Sequence, residues 1–225
     1  MARVSKRVNG KKMFETACSG PFFKAPLVRA GMRVGLMGGS FDPPHDGHVH
    51  ISLEAIKRLK LDQLWWLVSP GNPLKNQGPW PLDKRLQQCA RLALHPRIKV
   101  TALEVSLGSP YTAQTLTYLT RRFADSHFVW LMGADNMASV HLWRDWREIF
   151  RRVPVAVLDR PGQRYEVRAS LAAQLFSAKR LKEADASALL GAKAPAWTVL
   201  SIPLNYQSST KIRERSHRQY LCSLV

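Results

Sequence analysis

His45 and His48 stand three residues apart in "MGGSFDPPHDGHVHIS", residues 37–52, directly behind an apolar run, "MRVGL". Gly38 and Gly39 fall where that run ends, so the backbone there can turn sharply and let a ligand approach without a Cβ in the way. Asp42, Pro43 and Pro44 stiffen the loop between the glycines and the histidines. Spacing of i and i+3 puts both imidazoles near one face of a first helical turn, beside N–H groups with no partner inside the helix, and such a helix end attracts phosphate. Anion handling is the chemistry this stretch offers.

Other chemistries are served less well. The glycines do not form G-x-G-x-x-G, and no G-x-x-x-x-G-K-[ST] occurs, so neither the dinucleotide fingerprint nor the P-loop is present. Metal binding by His45 and His48 needs further ligands, and no H-E-x-x-H or cysteine pair supplies them; a purely structural, hydrogen-bonded histidine pair is an alternative that spacing alone leaves open. Cys18, Cys89 and Cys222 are scattered and odd in number, which argues against a disulfide framework or a zinc ribbon and fits a reducing cytoplasm.

The elements that must position the histidines are set by hydrophobic spacing. After "MRVGLM", a helix from near His45 carries Val49, Leu53, Ile56 and Leu59 at helical spacing. "QLWWLVSP" reads as a second strand, "PLDKRLQQCARLAL" as a helix with Pro81 in its N-terminal turn, and "IKVTALEV" as a third strand. The helix "YTAQTLTYLTRRFA", the strand "HFVWLMGAD", a short helix around "WRDWREIFRR", the strand "VPVAVLDRPG", a helical stretch over residues 166–183 and the strand "AWTVLSIP" complete the pattern. Alternating strands and helices imply an α/β fold, a Rossmann-like doubly wound, mainly parallel sheet with helices on both faces and ligands outside the carboxyl ends of the strands.

Residues 1–31 carry scattered Lys and Arg with almost no acid and no sustained period, and read as a basic, disordered extension. Residues 32–225 then form a single domain. With 45% hydrophobic residues the 225-residue chain can bury a full-sized core. Its 34 Lys and Arg against 16 Asp and Glu, net +18, ask for an anionic partner without choosing among nucleic acid, membrane and phosphorylated small molecules. No RNP, KH or zinc-finger pattern occurs and no apolar run approaches the roughly 20 residues of a membrane span, so neither nucleic acid nor membrane is an expected partner.

"GGSFDPPHDGH" resembles the H-x-G-H loop of the nucleotidylyltransferase superfamily, with His45, Gly47 and His48 on the motif, and its "GGSFDPP" is similar to the bacterial nicotinate-nucleotide adenylyltransferases in particular. Four later stretches match that family in order: "SPGNPLK", "SPYTAQTL", "MGADNMASVHLWRDW" and "SSTKIR". The resemblance implies transfer of AMP from ATP to nicotinate mononucleotide, in the cytoplasm, and is compatible with a homo-oligomer. It further implies His45, His48 and Arg213 as catalytic. The ATP site would comprise Gly38, Gly39, Ser40, Phe41, His45, His48, Gly133, Asp135, Ser208, Ser209, Thr210 and Arg213. The mononucleotide would meet Lys75, Tyr111, Thr112, Trp143 and Arg160. Mg²⁺ would bridge substrate phosphates, with no metal site of the protein's own.

The family pattern is matched less closely at the C-terminus. Gln207 replaces the isoleucine common before S-S-T, and "RERSHRQYLCSLV" ends before the family's usual final segment. Phosphopantetheine adenylyltransferase and the cytidylyltransferases share the H-x-G-H loop but lack the G-A-D to tryptophan pattern, and rank behind.

Overall fold

The computed structural model describes residues 20–71, 79–159 and 164–203. Six strands form one parallel sheet: β1 (Arg33–Gly39), β2 (Gln63–Val68), β3 (Ile98–Thr101), β4 (His127–Gly133), β5 (Val155–Asp159) and β6 (Trp197–Ser201). Their spatial order is β3-β2-β1-β4-β5-β6, the doubly wound order expected from the alternation. The chain runs outward from β1 to β3, then crosses back to β4 on the other side of β1. The switch point therefore lies between the carboxyl ends of β1 and β4.

The strands read as apolar runs because both of their faces are covered. Val34, Leu36, Trp65, Leu67, Phe128, Trp130, Val155 and Val157 point into one layer, which α4 (Thr112–Arg122), α5 (Ala134–Ser139) and α6 (Trp146–Arg152) complete. Leu64, Trp66, Val68, Val129, Leu131, Ala156 and Leu158 point into the other, under α1 (Asp46–Arg58) and α2 (Leu82–Leu92). Each fully buried Leu contributes about 1.5–3 kcal/mol. No helix among the described residues is long and apolar enough to cross a membrane.

Three expectations change. "IKVTALEV" is not one strand: pairing with β2 ends at Thr101, and Leu103–Ser106 turn into a short helix, α3. Residues 166–183 do not form one helix but break into α7 (Arg164–Ala169), α8 (Leu171–Leu175) and 3-10 turns, with the Ser170 hydroxyl capping α8. Residues 20–31 are not a disordered extension. Phe22 and Phe23 pack on the core, the Phe22 carbonyl accepts from Ala102 N–H at 2.6 Å and from Thr101 Oγ1 at 2.9 Å, and Lys24 O accepts from the same hydroxyl at 2.9 Å. The strap thus occupies hydrogen-bonding groups at the β3 edge. Residues 1–19 lie outside the described residues.

Candidate functional site

A cavity of about 570 Å³ opens at the switch point. Its floor comes from the carboxyl ends of β1 and β4, and its walls from the first turns of α1 and α4 and the segment before α6.

On the α1 side, Gly38 cannot carry a side chain, because a Cβ there would lie 2.6 Å from the Trp130 ring. Phe41 adopts a left-handed backbone, φ 47°, a strained conformation for a bulky residue of the kind that clusters in ligand loops. Its ring stacks on Trp66 at 5.1 Å and lies 4.8 Å from the His48 ring, so the strain is held by packing. His45 precedes α1 in extended conformation and donates its backbone N–H to His48 Nδ1 at 3.2 Å. An Nδ1 that accepts carries no hydrogen, which leaves Nε2 as the hydrogen-bearing nitrogen of the ring. The backbone is anchored too: Ser52 Oγ donates to His48 O at 2.7 Å and accepts the Trp66 indole N–H at 2.8 Å.

Asp135 stands in the first turn of α5 at the end of β4, and the absence of a Cβ on Gly133 lets its carboxylate fold back against the Gly133 backbone. Across the cavity, Tyr111 and Thr112 begin α4, and Trp143 comes after the turn Val140–Leu142. The two tryptophans of "LWRDW" take different roles. Trp143 lines the cavity, whereas Trp146 is buried against Phe150 and Phe176.

Gly38, Gly39, Ser40, Phe41, His45, His48, Tyr111, Thr112, Gly133, Asp135 and Trp143 all line this one space. Lys75, Arg160, Ser208, Ser209, Thr210 and Arg213 lie outside the described residues.

Sequence reasoning missed three charged residues here. Arg85 on α2 is 1% exposed and donates to four carbonyls: Ser40 at 2.7 Å, Ser69 at 2.8 Å, Trp80 at 2.7 Å and Pro70 at 3.3 Å. It ties the loop after β1 to the end of β2. Burial pulls its pKa below the ordinary arginine value, and Asp42 and then Cys89 offset part of this. The sequence held a signal, since Leu82, Arg85, Leu86 and Cys89 share one helical face and put a cation on an apolar stripe. Arg144 lines the cavity with its guanidinium 4.7 Å from the Tyr111 ring centroid, a contact between distant segments that no spacing announces. Glu104 also lines the cavity, a lone acid inside an apolar run. By contrast the buried Cys89 thiol, pushed up to about 12 by burial, is unsuited to nucleophilic attack.

A family model described as cytidylyltransferase-like matches residues 36–215. A Cereibacter sphaeroides protein named as a probable nicotinate-nucleotide adenylyltransferase is 54% identical over 182 residues, covering 81% of this chain and 96% of that protein. A Methylorubrum extorquens protein of the same name is 51% identical over 185 residues, 82% of this chain and 100% of its own length. The chain belongs to the nicotinate-nucleotide adenylyltransferase family. Its fold is similar to that of a Plasmodium falciparum nicotinic acid mononucleotide adenylyltransferase solved with NaAD, with TM-score 0.60 and 15% identity over 81% of this chain and 83% of the other. In this family member the H-x-G-H loop is thus seated on β1 at the switch point of a doubly wound sheet.

Among the described residues no group of three metal-ligating side chains comes together. Among the described residues the cavity's polar groups are imidazoles, hydroxyls, backbone N–H groups, the Arg144 guanidinium and two carboxyl groups, Asp135 and the buried Glu104. A cation carried on phosphate oxygens would need none of these side chains to enclose it.

Proposed function

We propose that this chain transfers the adenylyl group of ATP to nicotinate mononucleotide, forming nicotinate adenine dinucleotide and pyrophosphate. The observation that carries the reading is one cavity lined by the His45–His48 helix tip on one side and by Tyr111, Thr112 and Trp143 on the other. An anion-binding helix end and an aromatic, hydroxyl-bearing wall are what joining a triphosphate to a pyridine nucleotide requires.

In this mechanism a phosphate oxygen of the mononucleotide attacks the α-phosphorus of ATP, and the bond from that phosphorus to the bridging oxygen of the pyrophosphate breaks. The attacking phosphate is already anionic at neutral pH, so no general base and no covalent intermediate are needed, and catalysis reduces to alignment and charge stabilisation. His48 donates Nε2–H to an α-phosphate oxygen as charge grows there, and the backbone bond that holds Nδ1 keeps that donor in place. Gly38 and Gly39 let the phosphates approach the backbone, Asp135 holds ribose hydroxyls, and Trp143 stacks on the pyridine ring. Mg²⁺ on the phosphate oxygens would neutralise charge. Lys75 for the mononucleotide phosphate, Arg160 beside the mononucleotide, and Ser208, Ser209, Thr210 and Arg213 for the departing pyrophosphate enter from the sequence motifs. The scattered cysteines and the ATP requirement fit a cytoplasmic enzyme.

The deciding experiment is pyrophosphate release with ATP and nicotinate mononucleotide, run beside nicotinamide mononucleotide and beside CTP. Release that depends on ATP and nicotinate mononucleotide together is expected. No release with that pair overturns the reading.

A further inference from the structure

Glu104 sits on α3, just past the end of β3, and lines the cavity together with Pro110, Tyr111 and Thr112. It is 3% exposed. The Thr115 hydroxyl donates to its Oε1 at 3.4 Å and lies 3.5 Å from the Tyr111 carbonyl, while Ser109 N–H donates to the Glu104 carbonyl at 3.2 Å. The glutamate is therefore built into the turn that presents Tyr111 and Thr112.

A carboxylate so enclosed lacks the water that would solvate its charge. Burial lifts its pKa to about 8, and the bond from Thr115 lowers it by a smaller amount. Among the described residues no charged neighbour contributes. β2 and the turn Pro21–Phe23 carry no titratable side chain, β3 carries Lys99, and α4 carries Tyr118, Arg121 and Arg122. Among the described residues, the charged or titratable groups that share the cavity with Glu104 are Tyr111, Arg144, Asp135, His45 and His48, of which Arg144 lies over Tyr111 with its side chain 60% exposed.

We propose that Glu104 determines specificity for the ring substituent of the mononucleotide: neutral, it admits a ring carboxylate beside Tyr111 and Thr112, and ionised, it repels one. The inference rests on the mononucleotide reading of the cavity. A ring carboxylate is anionic throughout the relevant pH range, so an ionised wall residue raises its energy in the site, whereas a carboxamide carries no charge and is little affected. A glutamic acid that keeps its proton can also donate to that carboxylate.

The test is steady-state kinetics with ATP and each of the two mononucleotides, from well below to well above pH 8. The imidazoles, ATP and the mononucleotide phosphate are common to both reactions, so their titrations cancel in the ratio of kcat/KM for nicotinate over nicotinamide mononucleotide. That ratio should fall by about tenfold or more as pH rises through 8, mainly through KM for the nicotinate substrate, and E104Q should keep it flat. A wild-type ratio unchanged across that range, or an equal fall in E104Q, overturns the proposal. The wild-type profile decides by itself if E104Q does not fold. Absence of turnover with both mononucleotides at every pH overturns the underlying reading instead. Fold stability supplies a separate check that the group titrates as stated. The native state holds this proton between the ordinary 4.5 and about 8, so stability should decline as pH rises through that window in the wild type and not in E104Q.

Discussion

His48 performs two separable tasks with its two nitrogens, and two substitutions can divide them. Nδ1 accepts the His45 N–H at 3.2 Å and caps the first turn of α1, while the hydrogen on Nε2 is the donor assigned to the α-phosphate. Asparagine can set an amide oxygen near the position of Nδ1 but has nothing at Nε2; glutamine can set an amide N–H near Nε2 but withdraws the acceptor at Nδ1. Loss of one preorganised donor to developing charge costs about 3 to 4 kcal/mol, roughly 10²- to 10³-fold in turnover. Loss of the helix cap costs about 0.5–2 kcal/mol of folding stability. H48N should therefore lose turnover by two to three orders of magnitude while unfolding in urea near the wild-type midpoint. H48Q should recover most of the turnover and unfold earlier. Pyrophosphate release under saturating substrates reads the first quantity and urea denaturation the second. Near-parental turnover in H48N, or H48Q as inactive as H48N, would refute the division of labour.

W143A should raise KM for the mononucleotide while leaving KM for ATP unchanged, by about two- to twelvefold from about 0.5–1.5 kcal/mol of stacking; equal shifts for both substrates would remove Trp143 from the ring site. R85M leaves four carbonyls without their shared cation and should destabilise the fold by about 3 to 5 kcal/mol in urea unfolding, with a loss below about 1 kcal/mol contradicting the clamp. Chelation of Mg²⁺ by EDTA should abolish turnover yet leave the thermal unfolding of ligand-free enzyme unchanged, because the described residues provide no cage whose loss would matter to folding. A shift in that unfolding temperature would place a metal in the protein itself. E104Q should hold its substrate ratio level through pH 8, where that of the wild type falls.

Much of the architecture was readable without coordinates, because it rests on spacing within single elements. "QLWWLV" and "HFVWLMG" are apolar at nearly every position since both faces of a parallel strand are covered, and Val49, Ile56 and Leu59 fall on the covered side of α1, whereas Leu53 of the same spaced set is exposed and Ser52 and Ala55 are buried instead. The reading failed where local pattern and tertiary context part. "IKVTALEV" has strand-like composition throughout, yet Ala102 gives its N–H to Phe22 of the strap and the chain turns into α3. Residues 20–31 carry the basic character of a solvated tail, but Phe22 and Phe23 find an apolar seat and a sheet edge to bond.

The amino-acid order by itself determined the alternation of strands and helices, the glycine turn after β1 and the paired imidazoles at a helix start, all set by neighbours within a few residues. The family resemblance groups Tyr111 and Trp143 with these imidazoles, and only the tertiary structure decided that Arg144 and a buried Glu104 share the cavity with them. Those groups meet because the chain reverses direction across β1, and contacts across such a crossover depend on strand order, which periodicity within one element does not encode.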